Sequence, residues 1–241
     1  MTTEASLATI VLLSGMDGTG TLFKNWIDAV PAGFDLMVID FPVDIALGYE
    51  ELLQIVRARL PQDRPYWLLA ESFSGPIGLT LAARAPAGFL GLILCCTFAK
   101  NPMPVLTILR PAIALLSFPR LPLWLARIGH RALFGRHANA ESRSAISEAL
   151  CRLHPSVLQA RMRAVLDVDV TTLLARITLP VLYLRGGKDR VVPQSASRQL
   201  SRYLQHMDIA QLDAPHMLLQ TAPHEAWRTV RSFIEQRRDD A

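Results

Sequence analysis

The sequence predicts an α/β fold with a mostly parallel central sheet of about six strands, flanked by helices and carrying a helical cap insertion. Short apolar runs recur along the chain, and most are continuous rather than alternating, which is typical of strands covered on both faces. Helical patterns lie between them, and this alternation favours a parallel sheet. The 241 residues, about half of them apolar, are enough for one domain with a sizeable core.

The individual elements follow from these patterns. The predicted strands are Thr9–Ser14, Leu36–Phe41, Trp67–Glu71, Leu92–Phe98, Val181–Arg185 and Ile209–Asp213. The predicted helices between and after them include Glu50–Leu60, Phe73–Arg84, Ser195–Leu204 and Glu225–Gln236. In the first of these helices the apolar residues 52, 53, 56 and 60 share one stripe, as they do in a helix packed on a sheet.

One long segment interrupts this alternation. Residues 100–178 contain no convincing strand pattern and are predicted to form several helices separated by prolines. In a doubly wound protein such an insertion covers the carboxyl edge of the sheet, where ligands bind. We therefore expect a core of residues 1–99 and 179–241 and a helical cap of residues 100–178.

Charge and cysteine content narrow the classes of function and location. The net charge is +4, without the dense basic run expected of a nucleic-acid-binding protein. The three cysteines lack metal-ligand spacing and are interpreted as buried thiols, so no metal and no cofactor are expected. Prolines and arginines interrupt the apolar stretch from Pro102 to Ile128, and the N-terminus lacks a signal-peptide pattern. We expect a cytoplasmic protein without a transmembrane segment.

A possible nucleophile follows the third strand. Residues 66–80 read YWLLAESFSGPIGLT, where an apolar run ends and Ser72 and Ser74 follow. A sharp strand-to-helix turn that presents a nucleophilic serine requires small residues two positions to either side. Ala70 and Ser74 meet this requirement around Ser72, whereas a turn centred on Ser74 would place Pro76 at a tight position. The pattern favours Ser72, although a serine that only caps the helix also fits.

Two later residues complete a set of groups for nucleophilic catalysis. A serine hydroxyl needs a base to take its proton, and the base needs an acid that orients it. Asp189 follows the fifth predicted strand, and His216 follows the sixth, 27 residues later. Each has an ordinary interpretation alone, as a turn residue or a loop histidine. Their order after Ser72 favours a catalytic role.

The loop after the first strand contains three glycines. The segment SGMDGTG, residues 14–20, lacks the nucleotide-binding patterns of P-loops and dinucleotide-binding folds. It fits one wall of an oxyanion hole, in which the backbone N–H of Met16 would act together with that of Phe73.

These motifs resemble the α/β-hydrolase family over nearly the whole chain, and the order Ser, Asp, His is that of the family. The resemblance implies that Ser72 is the nucleophile, Asp189 the orienting acid and His216 the general base. It also implies that Met16 and Phe73 are the oxyanion-hole donors.

The sequence departs from the family pattern at three places. Ala70 and Ser74 stand where the family usually has glycines. The first loop begins Ser14-Gly15 instead of His-Gly, so Ser14 is expected to brace the loop in a different way from the histidine that the family commonly has there. The usual leading hairpin is missing, which is why six strands are expected rather than eight.

The expected reaction is hydrolysis of a carboxylic ester through an acyl-enzyme. The cap is rich in apolar residues, which predicts an acyl pocket for a small-molecule or acyl ester, with medium-chain acyl or small aromatic esters as the first expectation. The predicted substrate-binding residues are Gly15, Met103, Leu106 and Trp124. Two alternatives stay open, an acyltransferase on the same scaffold and a non-catalytic ligand-binding relative.

The cap is also basic. Residues 100–170 contain ten basic and four acidic side chains, which suits either a solvated surface or a surface that attracts an acidic partner. Some α/β hydrolases with basic caps, the pimeloyl carrier-protein methyl ester esterases, act on esters held by an acidic acyl-carrier protein. The hypothesis for this chain is that four arginines face such a partner, namely Arg143, Arg152, Arg161 and Arg163.

Overall fold

The computed structural model describes residues 8–109 and 123–239 and shows one six-stranded sheet. The strands are β1 (Ala8–Leu13), β2 (Phe34–Ile39), β3 (Tyr66–Glu71), β4 (Phe89–Cys95), β5 (Val181–Gly186) and β6 (Met207–Leu212). They pair in the order β2-β1-β3-β4-β5-β6, and every pair is parallel. The predicted fold class is confirmed, and the carboxyl ends of all six strands meet at one edge.

The strand boundaries differ from the predicted ones by up to three residues. The largest difference is in β4, which was expected over Leu92–Phe98 and ends at Cys95. Cys96 has a φ of 47°, and this left-handed backbone conformation ends the extended strand. The apolar pattern continues beyond that point because the following residues are also buried, so periodicity alone could not locate the end of the strand.

Helices cover both faces of the sheet. They are α1 (Lys24–Asp28), α2 (Tyr49–Arg59), α3 (Gly75–Arg84), α4 (Leu123–Phe134), α5 (Ala140–Cys151), α6 (Pro155–Asp167), α7 (Gln194–Ser201), α8 (Leu218–Thr221) and α9 (Pro223–Asp239). Apolar residues of α2, α3 and α7 form one core cluster with the sheet, and those of α1, α8 and α9 form another on the opposite face. Of the helices that the structure describes, none is long and apolar enough to cross a membrane.

The continuous apolar run of β3 is explained by this double coverage. Leu68 and Ala70 point into the cluster with α2 and α3, whereas Trp67 and Leu69 point into the other cluster. The edge strands are different, because β6 has one buried residue and Ile209 is 39 % exposed. The expectation of strands covered on both faces holds for the central strands and not for the two edges.

The segment between β4 and β5 forms helices and no strand within its described residues. It contains α4, α5, α6 and three short 3₁₀ helices, at Pro104–Leu109, Gly135–His137 and Thr171–Arg176. Its two ends meet at an isolated antiparallel bridge between Lys100 and Asp169. The N–H of Asn101 donates to the carbonyl of Val168 beside this bridge. The segment therefore leaves and rejoins the core at neighbouring points.

Two helical glycines form a matched pair for testing the packing of α3. An added Cβ at Gly78 would lie 2.9 Å from Ala70 Cβ and 3.0 Å from Leu92 Cδ1, whereas one at Gly129 would meet nothing within 4 Å. Gly78→Ala should lower the free energy of unfolding by about 1–2 kcal/mol through overpacking. Gly129→Ala should raise it by up to about 1 kcal/mol through helix propensity. Urea unfolding measures both, and equal stabilities for the two variants would contradict this packing.

Candidate active site

Ser72 lies at a sharp turn between β3 and α3. Its φ of 48° is left-handed, a conformation that costs a non-glycine residue about 1–2 kcal/mol. A 3₁₀ turn over Ser72–Ser74 precedes α3, which begins at Gly75 instead of the predicted Phe73. The strained turn lies at the carboxyl edge of the sheet, as expected for a serine that is presented to a substrate.

Ser74 has a different role from Ser72. Its side chain is fully buried, and its hydroxyl is within hydrogen-bond distance of the carbonyl oxygens of Leu13 (2.8 Å) and Glu71 (3.0 Å). These two carbonyls belong to the ends of β1 and β3. Ser74 makes no side-chain cap to α3. It instead ties the turn to the neighbouring strand end.

Two residues that the sequence did not single out hold the turn from the other side. Thr97, just after β4, donates its hydroxyl to the carbonyl of Ser72. A Cβ at Gly75 would overlap this Thr97 side chain, so the first residue of α3 must be glycine. Tyr183 on β5 bonds to both backbone groups of Thr97, donating to its carbonyl at 2.7 Å and accepting from its N–H at 3.1 Å. The Ser72 backbone is thus fixed by buried groups from two other strands.

The structure brings Ser72, His216 and Asp189 into one hydrogen-bonded line. Ser72 Oγ lies 2.9 Å from His216 Nε2, and His216 Nδ1 lies 2.9 Å from Asp189 Oδ2. The other carboxylate oxygen, Oδ1, accepts the N–H groups of Val191 and Val192 at 2.7 and 2.9 Å. Because the carboxylate can only accept, Nδ1 carries the imidazole proton and Nε2 is free to accept from the serine hydroxyl.

The loop that carries His216 depends on a close backbone approach. A Cβ at Gly186, the last residue of β5, would lie 2.5 Å from the carbonyl oxygen of Pro215. On the other side, the N–H of Met217 donates to the carbonyl of Leu133 in α4. The His216 loop is therefore packed between the end of the sheet and a helix of the segment that follows β4.

The loop after β1 runs beside Ser72. A Cβ added to Gly15 would lie 3.8 Å from Ser72 Cβ, so this predicted substrate-binding residue does adjoin the serine. Among the described turns and loops, no backbone hydrogen bond uses the N–H of Met16 or Phe73. Phe73 is fully buried and stacks on Tyr49, whose hydroxyl donates to the Phe73 carbonyl at 2.9 Å.

Glu71, directly before Ser72, is buried and points inward. Its Oε1 accepts from Gln220 Nε2 at 3.0 Å, and its Oε2 would lie 3.7 Å from a Cβ at Gly15. Burial raises the pKa of Glu71 to about 7. The bond from Gln220, the charge of His216 and the N–H of Gly15 oppose this increase, and the charge of Asp17 adds to it. The side chain thus contacts the loop after β1.

Arg161 lies in this region as well, although it was expected on the surface. It is 1 % exposed on α6, and its guanidinium donates to the carbonyls of Met16 (2.8 Å) and Pro42 (2.9 Å). Burial lowers the pKa of Arg161 to about 10, and the nearby charge of Asp17 opposes that change. The hypothesis that Arg161 faces a partner protein is therefore wrong, whereas Arg143, Arg152 and Arg163 are exposed.

Within the described residues, one cluster has the side chains of a metal site. Ligand atoms of Cys96, Asp189 and His216 lie within 4.8 Å of one another. A bond from the neighbouring Cys95 lowers the pKa of Cys96, but burial and the charge of Asp189 outweigh it, so the net shift is upward and disfavours the thiolate. Both ring nitrogens of His216 already have partners, so metal binding would break the bonds to Ser72 or Asp189.

The structure places the remaining cysteine and one of the other predicted substrate-binding residues at exposed positions. Cys151 is exposed, contrary to the expectation of a buried thiol. Met103 is 39 % exposed on the segment after β4. The side chains of Leu106 and Trp124 lie outside the part of the structure that is described.

The comparison with protein families gives one match that spans most of the chain. The sequence model of the family described as serine aminopeptidase, S33 matches residues 43–218. This range contains Ser72, Asp189 and His216.

Two curated relatives differ in coverage. A pimeloyl-[acyl-carrier protein] methyl ester esterase from Neisseria meningitidis is 26 % identical, over 94 % of this chain and 93 % of its own. Phytyl ester synthase 1, a chloroplast protein of Arabidopsis thaliana, is 33 % identical over 111 residues. That similarity covers 42 % of this chain and only 16 % of the synthase.

Solved structures show the same fold at low sequence identity. A thermophilic esterase from Thermogutta terrifontis superposes with a TM-score of 0.82 at 18 % identity, over 97 % of this chain and 91 % of that one. An enol-lactonase from Burkholderia xenovorans gives 0.80 at 18 % identity, over 95 % and 91 % of the two chains.

Glu71→Gln should change how stability depends on pH. The folded protein holds the Glu71 proton up to a pKa of about 7, above the ordinary value of 4.5, so between these values it binds more protons than the unfolded chain. Wild-type stability should therefore fall relative to the variant as pH rises from 5 to 8, by about 3 kcal/mol at most. Urea unfolding at several pH values measures the difference, with the exposed Glu148→Gln as control. Parallel pH profiles for wild type and Glu71→Gln would show that the carboxyl is not buried as described.

Proposed function

The chain belongs to the α/β-hydrolase family of the serine aminopeptidase S33 type, and on this premise we propose that it cleaves carboxylic esters with Ser72 as the nucleophile. The observation that carries the proposal is the continuous line from Ser72 Oγ through His216 to Asp189, with both distances 2.9 Å. A hydrogen-bonded line of this kind, starting at a left-handed serine at a strand end, supports covalent catalysis.

In the proposed reaction Ser72 Oγ attacks the ester carbonyl while its proton moves to His216 Nε2. Asp189 holds the imidazole in the required tautomer and stabilises the imidazolium that forms. The N–H groups of Met16 and Phe73 would stabilise the oxyanion. His216 then returns the proton to the departing alcohol, and the acyl group remains on Ser72. A water molecule attacks the acyl-enzyme while His216 takes its proton. His216 then returns this proton to Ser72 Oγ as the bond between Oγ and the acyl group breaks and the carboxylic acid leaves.

The segment of residues 100–178 is proposed to be a cap over this site. Its ends meet at the Lys100–Asp169 bridge, and its helices contact both the His216 loop and the loop after β1. Met103, Leu106 and Trp124 stay proposed contacts of an apolar acyl group, with medium-chain or small aromatic esters as the first candidates.

Acyl transfer to an alcohol is a second candidate, because part of the chain is similar to a phytyl ester synthase. It uses the same acyl-enzyme and differs in the final acceptor. The ratio of ester to acid formed when an alcohol is added to the assay separates the two reactions. A non-catalytic relative would form no acyl-enzyme at all.

We further propose that the natural substrate is an ester carried by an acidic acyl-carrier protein. One relative that matches along nearly its whole length is named as an esterase of this kind. The basic segment of residues 100–178 exposes Arg143 and Arg152 near the two ends of α5 and Arg163 on α6. An acidic carrier would be attracted to such a surface.

Ser72→Ala should lower kcat/KM for p-nitrophenyl esters by about 10⁴-fold or more, because the nucleophile is lost. Ser74→Ala is the matched control. It should keep kcat within about tenfold, while the loss of its buried hydroxyl, which donates to the carbonyls of Leu13 and Glu71 through one shared proton, lowers the free energy of unfolding by about 1–3 kcal/mol. A fluorophosphonate should label wild type and Ser74→Ala and leave Ser72→Ala unlabelled. Activity retained in Ser72→Ala, or faster cleavage of aminoacyl p-nitroanilides than of esters by wild type, would contradict the proposal.

Neutralising the three exposed arginines, Arg143, Arg152 and Arg163, to glutamine should lower kcat/KM for a carrier-bound methyl ester by about tenfold at low salt. The same variant should cleave p-nitrophenyl esters at the wild-type rate. Replacing three exposed arginines of the core, Arg57, Arg198 and Arg228, provides the control with the same change in net charge. The difference between the two variants should shrink as salt is raised, because screening removes long-range attraction. Equal losses in both variants would show that only the net charge matters.

A further inference from the structure

Arg161 is a buried cation, and within the described part of the chain its guanidinium donates to two backbone carbonyls, those of Met16 and Pro42. Among residues 8–109 and 123–239 no carboxylate lies within ion-pairing distance of its guanidinium. Among the side chains that the structure describes, it is the second-largest of those that are fully buried. Burying a charged group without an ion pair is unfavourable, so an arginine at this position needs a compensating interaction or a function.

The guanidinium links the loop after β1, which carries Met16, to the segment after β2. Nη1 donates to the carbonyl of Met16, and Nη2 donates to the carbonyl of Pro42 after β2. The same group lies 5.7 Å from the ring centre of Phe41 and 6.0 Å from that of Phe73. It therefore contacts the residues of both proposed oxyanion donors.

The backbone around Arg161 is shaped to admit it. A Cβ at Gly18 would lie 2.5 Å from Nη1 and 2.8 Å from Nη2. Gly18 has a φ of 68°, and its carbonyl accepts the N–H of Phe41. Glycine is thus required at this point both by the turn and by the guanidinium.

The carbonyl and the N–H of Met16 belong to adjacent peptide planes joined at its Cα. A hydrogen bond that fixes the carbonyl therefore restricts the direction of the N–H. Phe73 has a corresponding brace, since its carbonyl accepts from the Tyr49 hydroxyl. Each proposed oxyanion donor thus has its own carbonyl held by a side chain, half-buried Tyr49 for Phe73 and buried Arg161 from α6 for Met16.

We propose that Arg161 is a positioning residue, which holds the loop after β1 so that the Met16 N–H points at the oxyanion. This inference rests on the proposed function, because it takes the Met16 N–H as an oxyanion donor. Arg161 would brace a loop that begins Ser14-Gly15. Ser14 does not do so through its hydroxyl, because Ser14 Oγ is buried without a hydrogen-bond partner among the described residues. It also makes the geometry of the site depend on the docking of α6.

The test compares Arg161→Met and Arg161→Lys with Arg228→Met, a control at an exposed arginine of α9. Arg161→Met should lower kcat for a p-nitrophenyl ester by about 10- to 100-fold, with KM within about threefold, because misplacing a donor weakens transition-state binding. Affinity for a trifluoromethyl ketone should fall by the same factor as kcat/KM. Arg161→Lys keeps the charge but not the paired donors, so it should lie between wild type and Arg161→Met.

A second measurement does not depend on activity. Hydrogen exchange of the peptide that covers residues 14–20 should be faster in Arg161→Met than in Arg228→Met, at equal exchange of β3 and β4. Unchanged exchange in this loop, or a loss of activity that appears only in KM, overturns the inference. If Arg161→Met does not fold, Arg161→Lys decides by the same two criteria. If the wild type neither cleaves esters nor reacts with a fluorophosphonate, the proposed function fails, whereas loop exchange still reports on the brace.

Discussion

The left-handed backbone at Ser72 is a constraint on which the arrangement at the carboxyl edge depends. A non-glycine residue keeps such a conformation only where its surroundings hold it there. Here the Ser74 hydroxyl ties the turn to the ends of β1 and β3, and Thr97 binds the Ser72 carbonyl from the end of β4. Tyr183 on β5 fixes Thr97 in turn. Four parallel strands that end at one edge thus contribute to a single turn, and this makes the serine side chain available to His216.

Charged side chains are also buried beside this turn. Glu71, Asp17 and Arg161 lie around the loop after β1, and the charges of Glu71 and Arg161 both interact with that of Asp17. In α/β hydrolases this loop commonly begins with a histidine, as the resemblance noted for the sequence implies. In this chain Glu71 contacts Gly15 and Arg161 contacts Met16, so polar groups from β3 and α6 flank the loop. Buried polar groups at a candidate site are expensive, and such groups concentrate where geometry matters for function.

The fold was predictable because its signals are local. Continuous apolar runs identify the central strands, and small residues around Ser72 identify the turn, since both depend on neighbours within a few positions. The order of Ser72, Asp189 and His216 was predictable for the same reason, as each follows a recognisable strand. The end of β4 was not, because the left-handed Cys96 lies within a run that stays apolar. The location of Arg161 was also not predictable, since an arginine on a helix is usually exposed.

The sequence by itself determined the α/β class and the parallel sheet. It also identified Ser72 at the sharp turn after β3, with Asp189 and His216 as the two residues proposed to act with it. These features depend on periodicity and on residue types at short spacing, which a chain displays without folding. Only the tertiary structure decided which groups hold the site. Thr97, Tyr183 and Arg161 reach it from separate strands and a distant helix, and no local pattern marks them. Their roles depend on side-chain direction and on distances between segments far apart in the chain, which are fixed only when the sheet and its helices pack together.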